Sequence, residues 1–152
     1  MATRCYIACK TPGDYQAVYA HWDGYPKHNG RILFDHYSNS RKLRRLMSKG
    51  DISILTPIVG RKHKFENGGN VRSTTFYGRD RGEKGIETKS WATIDQVLKA
   101  ADHCGTEYVY LYDCGTWYVA GRGPQFFGGT DGSSFSSFRP LADILTSSHS
   151  AE

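Results

Sequence analysis

The stretch Tyr108-Val109-Tyr110-Leu111-Tyr112-Asp113-Cys114-Gly115-Thr116-Trp117-Tyr118-Val119 decides the fold. Two runs of β-branched and aromatic residues flank Asp113-Cys114-Gly115, a compact turn, so residues 107–112 and 116–119 read as a hairpin. With those three residues as the turn, alternation places Val109, Leu111, Trp117 and Val119 on one face and Tyr108, Tyr110, Tyr112 and Tyr118 on the other. The expectation is one face packed on helices and one exposed tyrosine surface.

Two further hairpins are expected upstream. Residues 4–10 and 15–22 flank the turn Thr11-Pro12-Gly13-Asp14, and residues 61–66 and 72–77 flank Asn67-Gly68-Gly69-Asn70. Helices are expected over 27–37, started by Pro26, over 41–48, capped from Ser38-Asn39-Ser40 and stopped by Gly50, and over 90–103, capped by Ser90 or Thr93. Leu43, Leu46 and Met47 make the inner stripe of the second helix, and Ile94, Val97, Leu98 and Ala101 that of the third. Residues 51–60 are apolar, but Pro57 argues against a central strand, leaving a packed connection. The pattern is α+β: a mostly antiparallel sheet built from three hairpins, with helices packed on one face.

At 152 residues and 17.1 kDa the chain fits one domain, expected over 1–145. Residues 121–138, rich in Gly, Ser and Phe, should lie on that body as a loop, with a short helix at 140–145. The tail, 146–152, is expected to be disordered. No apolar run is long enough for a signal peptide or membrane span, which implies a soluble protein. The formal charge of +5 permits contact with phosphates or an acidic protein. Cys5 and Cys9 lie about 13 Å apart along a strand and Cys104 and Cys114 flank another, so free thiols are expected.

Two charged aromatic stretches follow second strands: His21-Trp22-Asp23-Gly24-Tyr25-Pro26 and Phe76-Tyr77-Gly78-Arg79-Asp80-Arg81-Gly82-Glu83. Stacking the two hairpin units in similar orientation would bring both to one edge. The candidate binding residues are therefore His21, Trp22, Asp23, Tyr25, Tyr77, Arg79, Asp80, Arg81 and Glu83. A catalytic reading makes His21 a general base, oriented by Asp23 or Asp80, with Arg79 and Arg81 holding a phosphate or carboxylate. The alternative is a loop paired within itself, for which exposed ion pairs contribute about 0–1 kcal/mol. His28, His36, His103 and Cys104 lack metal-ligand spacing, so no metal or cofactor is expected. The tyrosine face and the cationic helix 41–49 suit nucleotide or nucleic-acid contact.

The motifs at 21–26 and 76–83, together with the Tyr108-Val109-Tyr110-Leu111-Tyr112 strand, resemble a family of small proteins encoded by tailed bacteriophages and prophages. The resemblance covers about residues 1–120 and leaves out the tail beyond Gly121. It carries no catalytic residue with it. It implies an accessory phage protein in the bacterial host cytoplasm, and such proteins often counter host defence. The leading expectation is a non-enzymatic, anti-CRISPR-like inhibitor that binds a host defence protein or complex. A protein binding or cleaving a nucleotide signal is the alternative, and a virion component a third.

Overall fold

The computed structural model describes residues 2–65, 71–122 and 135–146. Strands β1 (Cys5–Lys10) and β2 (Tyr15–Ala20) form the first hairpin, closed by Thr11, whose amide and hydroxyl both donate to the Asp14 carbonyl. The chain then makes one π-helical turn, Pro26–Gly30, and continues as α1 (Arg31–His36) and α2 (Ser40–Met47). The single helix expected over 27–37 is thus two pieces of different pitch. Asn39 caps α2 by accepting from the Lys42 amide at 3.0 Å, a bond of about 1 kcal/mol. Leu43, Leu46 and Met47 are buried as the spacing predicts.

Downstream lie β3 (Ile52–Ile54), β4 (Thr75–Phe76), α3 (Tyr77–Arg81), β5 (Lys89–Trp91) and α4 (Ile94–His103). They are followed by β6 (Tyr108–Asp113), β7 (Thr116–Gly121), β8 (Arg139–Pro140) and α5 (Leu141–Thr146). The sheet runs β4-β3-β2-β1-β6-β7-β8, with β5 also pairing β2. Two pairings, β1 with β6 and β2 with β3, are parallel, and the rest are antiparallel. The architecture is α+β with a mostly antiparallel sheet.

The first and third hairpins form, whereas β4 pairs with β3 rather than with 61–66. Residues 52–54 can be a strand because Pro57 lies beyond its end, where no ladder amide is needed. The helices divide between the two faces. Leu33, Tyr37, Leu43, Leu46, Leu141 and Ile144 cover one face, and Val97 and Ala101 of α4 cover the other. Thr93 is the α4 cap, in a reciprocal capping box with Gln96, while Ser90 belongs to β5.

The β6–β7 turn corrects the expected faces. Asp113 pairs with Thr116, leaving a two-residue turn in which Cys114 and Gly115 both have positive φ, 51° and 82°. Shortening the turn by one residue shifts the register by one. Tyr110 therefore faces Val119, and Tyr112 faces Trp117. Tyr110 and Tyr112 are core residues rather than an exposed stacking surface. Their hydroxyls explain why they are not phenylalanines: Tyr110 Oη donates to the Gly24 carbonyl at 2.6 Å and Tyr112 Oη to that of Ser38 at 3.0 Å. Each satisfies a carbonyl in the connections that flank the helices on that face.

The four cysteines are free thiols. Phe135 and Phe138 pack on the α4 side of the sheet, and the Ser136 amide donates to the Gly121 carbonyl, so the described end of the expected 121–138 loop lies on the body. Thr146, expected in the tail, ends α5. The turn at 67–70, the rest of that loop at 123–134 and the tail from 147 lie outside the described residues.

Candidate functional site

Strand alternation collects polar side chains on the α4 face of the sheet. Tyr6 pairs with Tyr19 across β1 and β2, and Ala17 with Lys89 across β2 and β5, so these residues share that face. Arg4 and His21 stand two residues from Tyr6 and Tyr19 and extend the same row. The Tyr6 and Tyr19 rings meet edge to face with centroids 6.5 Å apart, and Trp91 backs Tyr6 at 6.3 Å. Asp51 enters at the head of β3, where its amide donates to the Ile86 carbonyl and its Oδ1 accepts the Tyr19 amide at 2.9 Å. Cys104, the C-cap of α4, closes the far side, its Sγ 3.4 Å from Tyr6 Oη. Tyr6, Ala17, Tyr19, Asp51, Lys89 and Cys104 line a cleft of about 340 Å³.

Burial sets the charge states here. It pushes the Tyr19 phenol up to about 12 against the pull of Arg4, and raises Tyr6 further, with Cys104 adding to the effect. Burial also lowers His21, and the nearby Arg4 charge lowers it again. A protonated phenol and a neutral imidazole therefore share a hydrogen between Tyr19 Oη and His21 Nδ1, 2.7 Å apart. The Asp51 carboxyl is raised by burial, opposed by the Tyr19 amide and Lys89. Arg4 has its Nε buried with no hydrogen-bond partner among the described residues. The cleft thus combines two aromatic rings, a carboxyl acceptor and the Lys89 cation, with Arg4 close enough to act on Tyr19 and His21.

The residues singled out from the sequence divide between this cleft and the scaffold. His21 flanks β3 on one side, its amide donating to the Ile52 carbonyl, and Tyr77 flanks it on the other, its amide donating to Asp51. These two lie one strand apart. Beyond them the chains diverge, because β2 runs parallel to β3 while β4 runs antiparallel. Asp23 and Tyr25 therefore leave the sheet in the opposite direction from Arg79, Asp80, Arg81 and Glu83.

The catalytic arrangement drawn from the sequence is not assembled. His21 is partnered by Tyr19, and Asp23, held at φ 57°, lies 4.0 Å from His28 Nε2. Trp22 stands edge-on to His21, and Tyr25 lies against His28.

Asp80 has no side-chain exposure and accepts from four N–H groups: the His63 amide and Arg79 Nε at Oδ1, and the Phe76 amide and Arg79 Nη2 at Oδ2. Burial alone would raise this carboxyl, but those bonds and the Arg79 charge outweigh it and hold it below the usual range. Arg79 also donates to the carbonyls of Val59, Gly60 and Thr74. Its guanidinium is occupied by the fold. Arg81 pairs with Glu83 at 2.5 Å in solvent and lies over Phe65 and Tyr77.

Sequence reading missed Arg4, Tyr6, Tyr19, Asp51, Lys89 and Cys104. The available signal was the two-residue spacing of Arg4 from Tyr6 and of Tyr19 from His21, which puts each pair on one face of a strand. Among the described residues no three of His, Cys, Asp and Glu gather to hold a metal ion, and no helix is long and apolar enough to cross a membrane. No family model, curated protein or solved structure matches the chain.

Proposed function

We propose that this chain is a phage-encoded accessory protein that captures a small nucleotide-type ligand in the Tyr6–Tyr19–Asp51 cleft, acting against a nucleotide-signalled host defence in the bacterial cytoplasm. The observation that carries the reading is the cleft itself. About 340 Å³ falls within the range of small-molecule sites, and a carboxyl acceptor and a lysine ammonium converge there beside aromatic rings. A base can stack on Tyr19, which is partly exposed. Asp51 supplies an acceptor for an amino or hydroxyl group, and Lys89 supplies positive charge for phosphate, with Arg4 adding to the local field. The phage setting comes from the sequence resemblance. The protein-docking inhibitor relied on an arginine-rich edge, and the engagement of Arg79 by three carbonyls and Asp80 moves the weight to the cleft.

The test is thermal unfolding with a panel of linear and cyclic nucleotides, followed by chromatography of the ligand released on heating. Saturation at about 100 times Kd adds about 2.7 kcal/mol. For a domain of this size that raises Tm by about 5–10 °C. The ligand is expected to elute unchanged, with the shift lost in Lys89→Ala and in Asp51→Asn, which keeps an acceptor for the Tyr19 amide. No shift with any nucleotide, or an equal shift in both variants, overturns the proposal. A converted ligand overturns capture in favour of catalysis.

A further inference from the structure

The positive charge of this protein is concentrated in one short segment. Residues 41–64 hold eight of the twenty Lys and Arg and one of the fifteen Asp and Glu, so the rest of the chain carries fourteen acids against twelve bases. The whole excess of +5 arises in that segment. Its single acid, Asp51, lines the cleft on the opposite face of the sheet.

The fold merges the two basic runs of this segment into one surface. Helix α2 buries Leu43, Leu46 and Met47, which turns Arg41, Arg44 and Arg45 to solvent. Lys42 Nζ donates to the Pro57 carbonyl at 2.7 Å and Arg45 Nη2 to that of Gly60 at 3.4 Å, which draws the chain after β3 against the helix. Arg61, Lys62 and Lys64 follow, all exposed. Across from them Arg72 closes a cleft of about 710 Å³ that also contains His63 and Ile58.

Beneath this surface the Arg79–Asp80 pair holds the backbone of residues 59, 60 and 63 in place. The cations therefore stand on a fixed frame, which lowers the ordering cost of binding. Among the described residues none of the eight cations, nor Arg72, forms an ion pair.

We infer that the outer face of α2 and the segment 57–64 dock the phosphodiester backbone of a nucleic acid. Guanidinium and ammonium groups presented without counter-charges suit a repeating row of phosphates. A lipid surface fits less well, because the apolar side of α2 is spent in the core and Ile58, at 57%, is the one exposed large hydrophobic among the described residues. An acidic protein partner would be anchored by exposed aromatic residues, and none stands in this cleft.

The test is fluorescence anisotropy of the full chain with labelled single-stranded and duplex DNA across a salt series. Engagement of about four phosphates predicts about a 100-fold weakening on duplex between about 50 and 200 mM salt. Arg44→Glu/Arg61→Glu/Lys62→Glu should lose about 100-fold in affinity and flatten the salt dependence. Lys10→Glu/Lys27→Glu/Lys99→Glu, with the same change in charge at exposed positions elsewhere, should stay near wild type. Absence of binding to both DNA forms at low salt overturns the inference, as does equal loss in the two triple variants. So does capture by phosphatidylserine-containing vesicles without capture of DNA. Melting of both variants near wild-type Tm separates lost contacts from lost folding.

Discussion

Replacing Asp80 with Asn tests whether the densest charged motif of the chain is architecture. The carboxylate accepts four N–H groups, two on each oxygen, with no solvent exposure. Whichever way the amide turns, its NH2 group faces two donors. It also leaves the Arg79 guanidinium, only 14% exposed, without its counter-charge. Breaking a buried pair from one side costs about 3–5 kcal/mol. The lower end applies because Arg79 keeps its three carbonyl acceptors. About 3 kcal/mol corresponds to a fall in Tm of about 6–12 °C for a domain of this size.

The same variant should change the acid limb of stability. A carboxyl whose folded pKa is depressed contributes stability that is fully present above its unfolded value, about 3.9, and is lost as pH falls through the folded value. Scanning Tm by circular dichroism from about pH 6 downward should show wild type losing stability below about pH 4, with the gap to Asp80→Asn narrowing there. A variant that melts within about 2 °C of wild type at neutral pH, a difference worth less than about 1 kcal/mol, would refute this reasoning. So would a gap that stays constant into acid.

Tyr110→Phe leaves the Gly24 carbonyl without its 2.6 Å donor inside the core and should cost about 1–3 kcal/mol in urea unfolding at an unchanged m-value. No loss there would mean that the carbonyl finds another donor. Arg81→Ala removes an ion pair whose partners are 46% and 41% exposed, so stability should change by no more than about 1 kcal/mol, read by the same denaturation. A loss near that of Asp80→Asn would place Arg81 in the scaffold as well.

Elements whose signals are local were legible in the sequence. The α2 cap and inner stripe, Thr93 of the two α4 caps the sequence offers, and the first hairpin each depend on residues within a few positions of one another, and each is present in the fold. What escaped depends on one-residue differences or on distant pairing. A turn of two residues rather than three shifted the register by one, which put Tyr110 and Tyr112 of β6, rather than Val109 and Leu111, on the face shared with Trp117 and Val119 of β7. Phe76 could pair with a strand beginning in the 61–66 run or with Ile52, and a buried strand of three residues leaves little periodicity to detect. The cleft draws on Tyr6, Tyr19, Asp51, Lys89 and Cys104, which meet only because β2 has β1 on one side and shares its other edge between β3 and β5. No sequence spacing encodes that order.

The parallel pairing of β1 with β6 also bears on how the protein is made. Arg4 and Glu107, joined at the foot of that pairing, are 103 residues apart in the chain. At about 5–20 residues per second, a ribosome needs about 5–20 s to supply the second strand after the first. The β1–β2 hairpin can form in microseconds, so for nearly the whole of that interval β1 presents a bare edge carrying Tyr6, Ile7 and Ala8. An uncovered apolar edge is a template for pairing with other chains. The time at risk is then set by translation rather than by folding, and slower synthesis of residues 11–107 should raise aggregation of the nascent chain while leaving the stability of the finished protein unchanged.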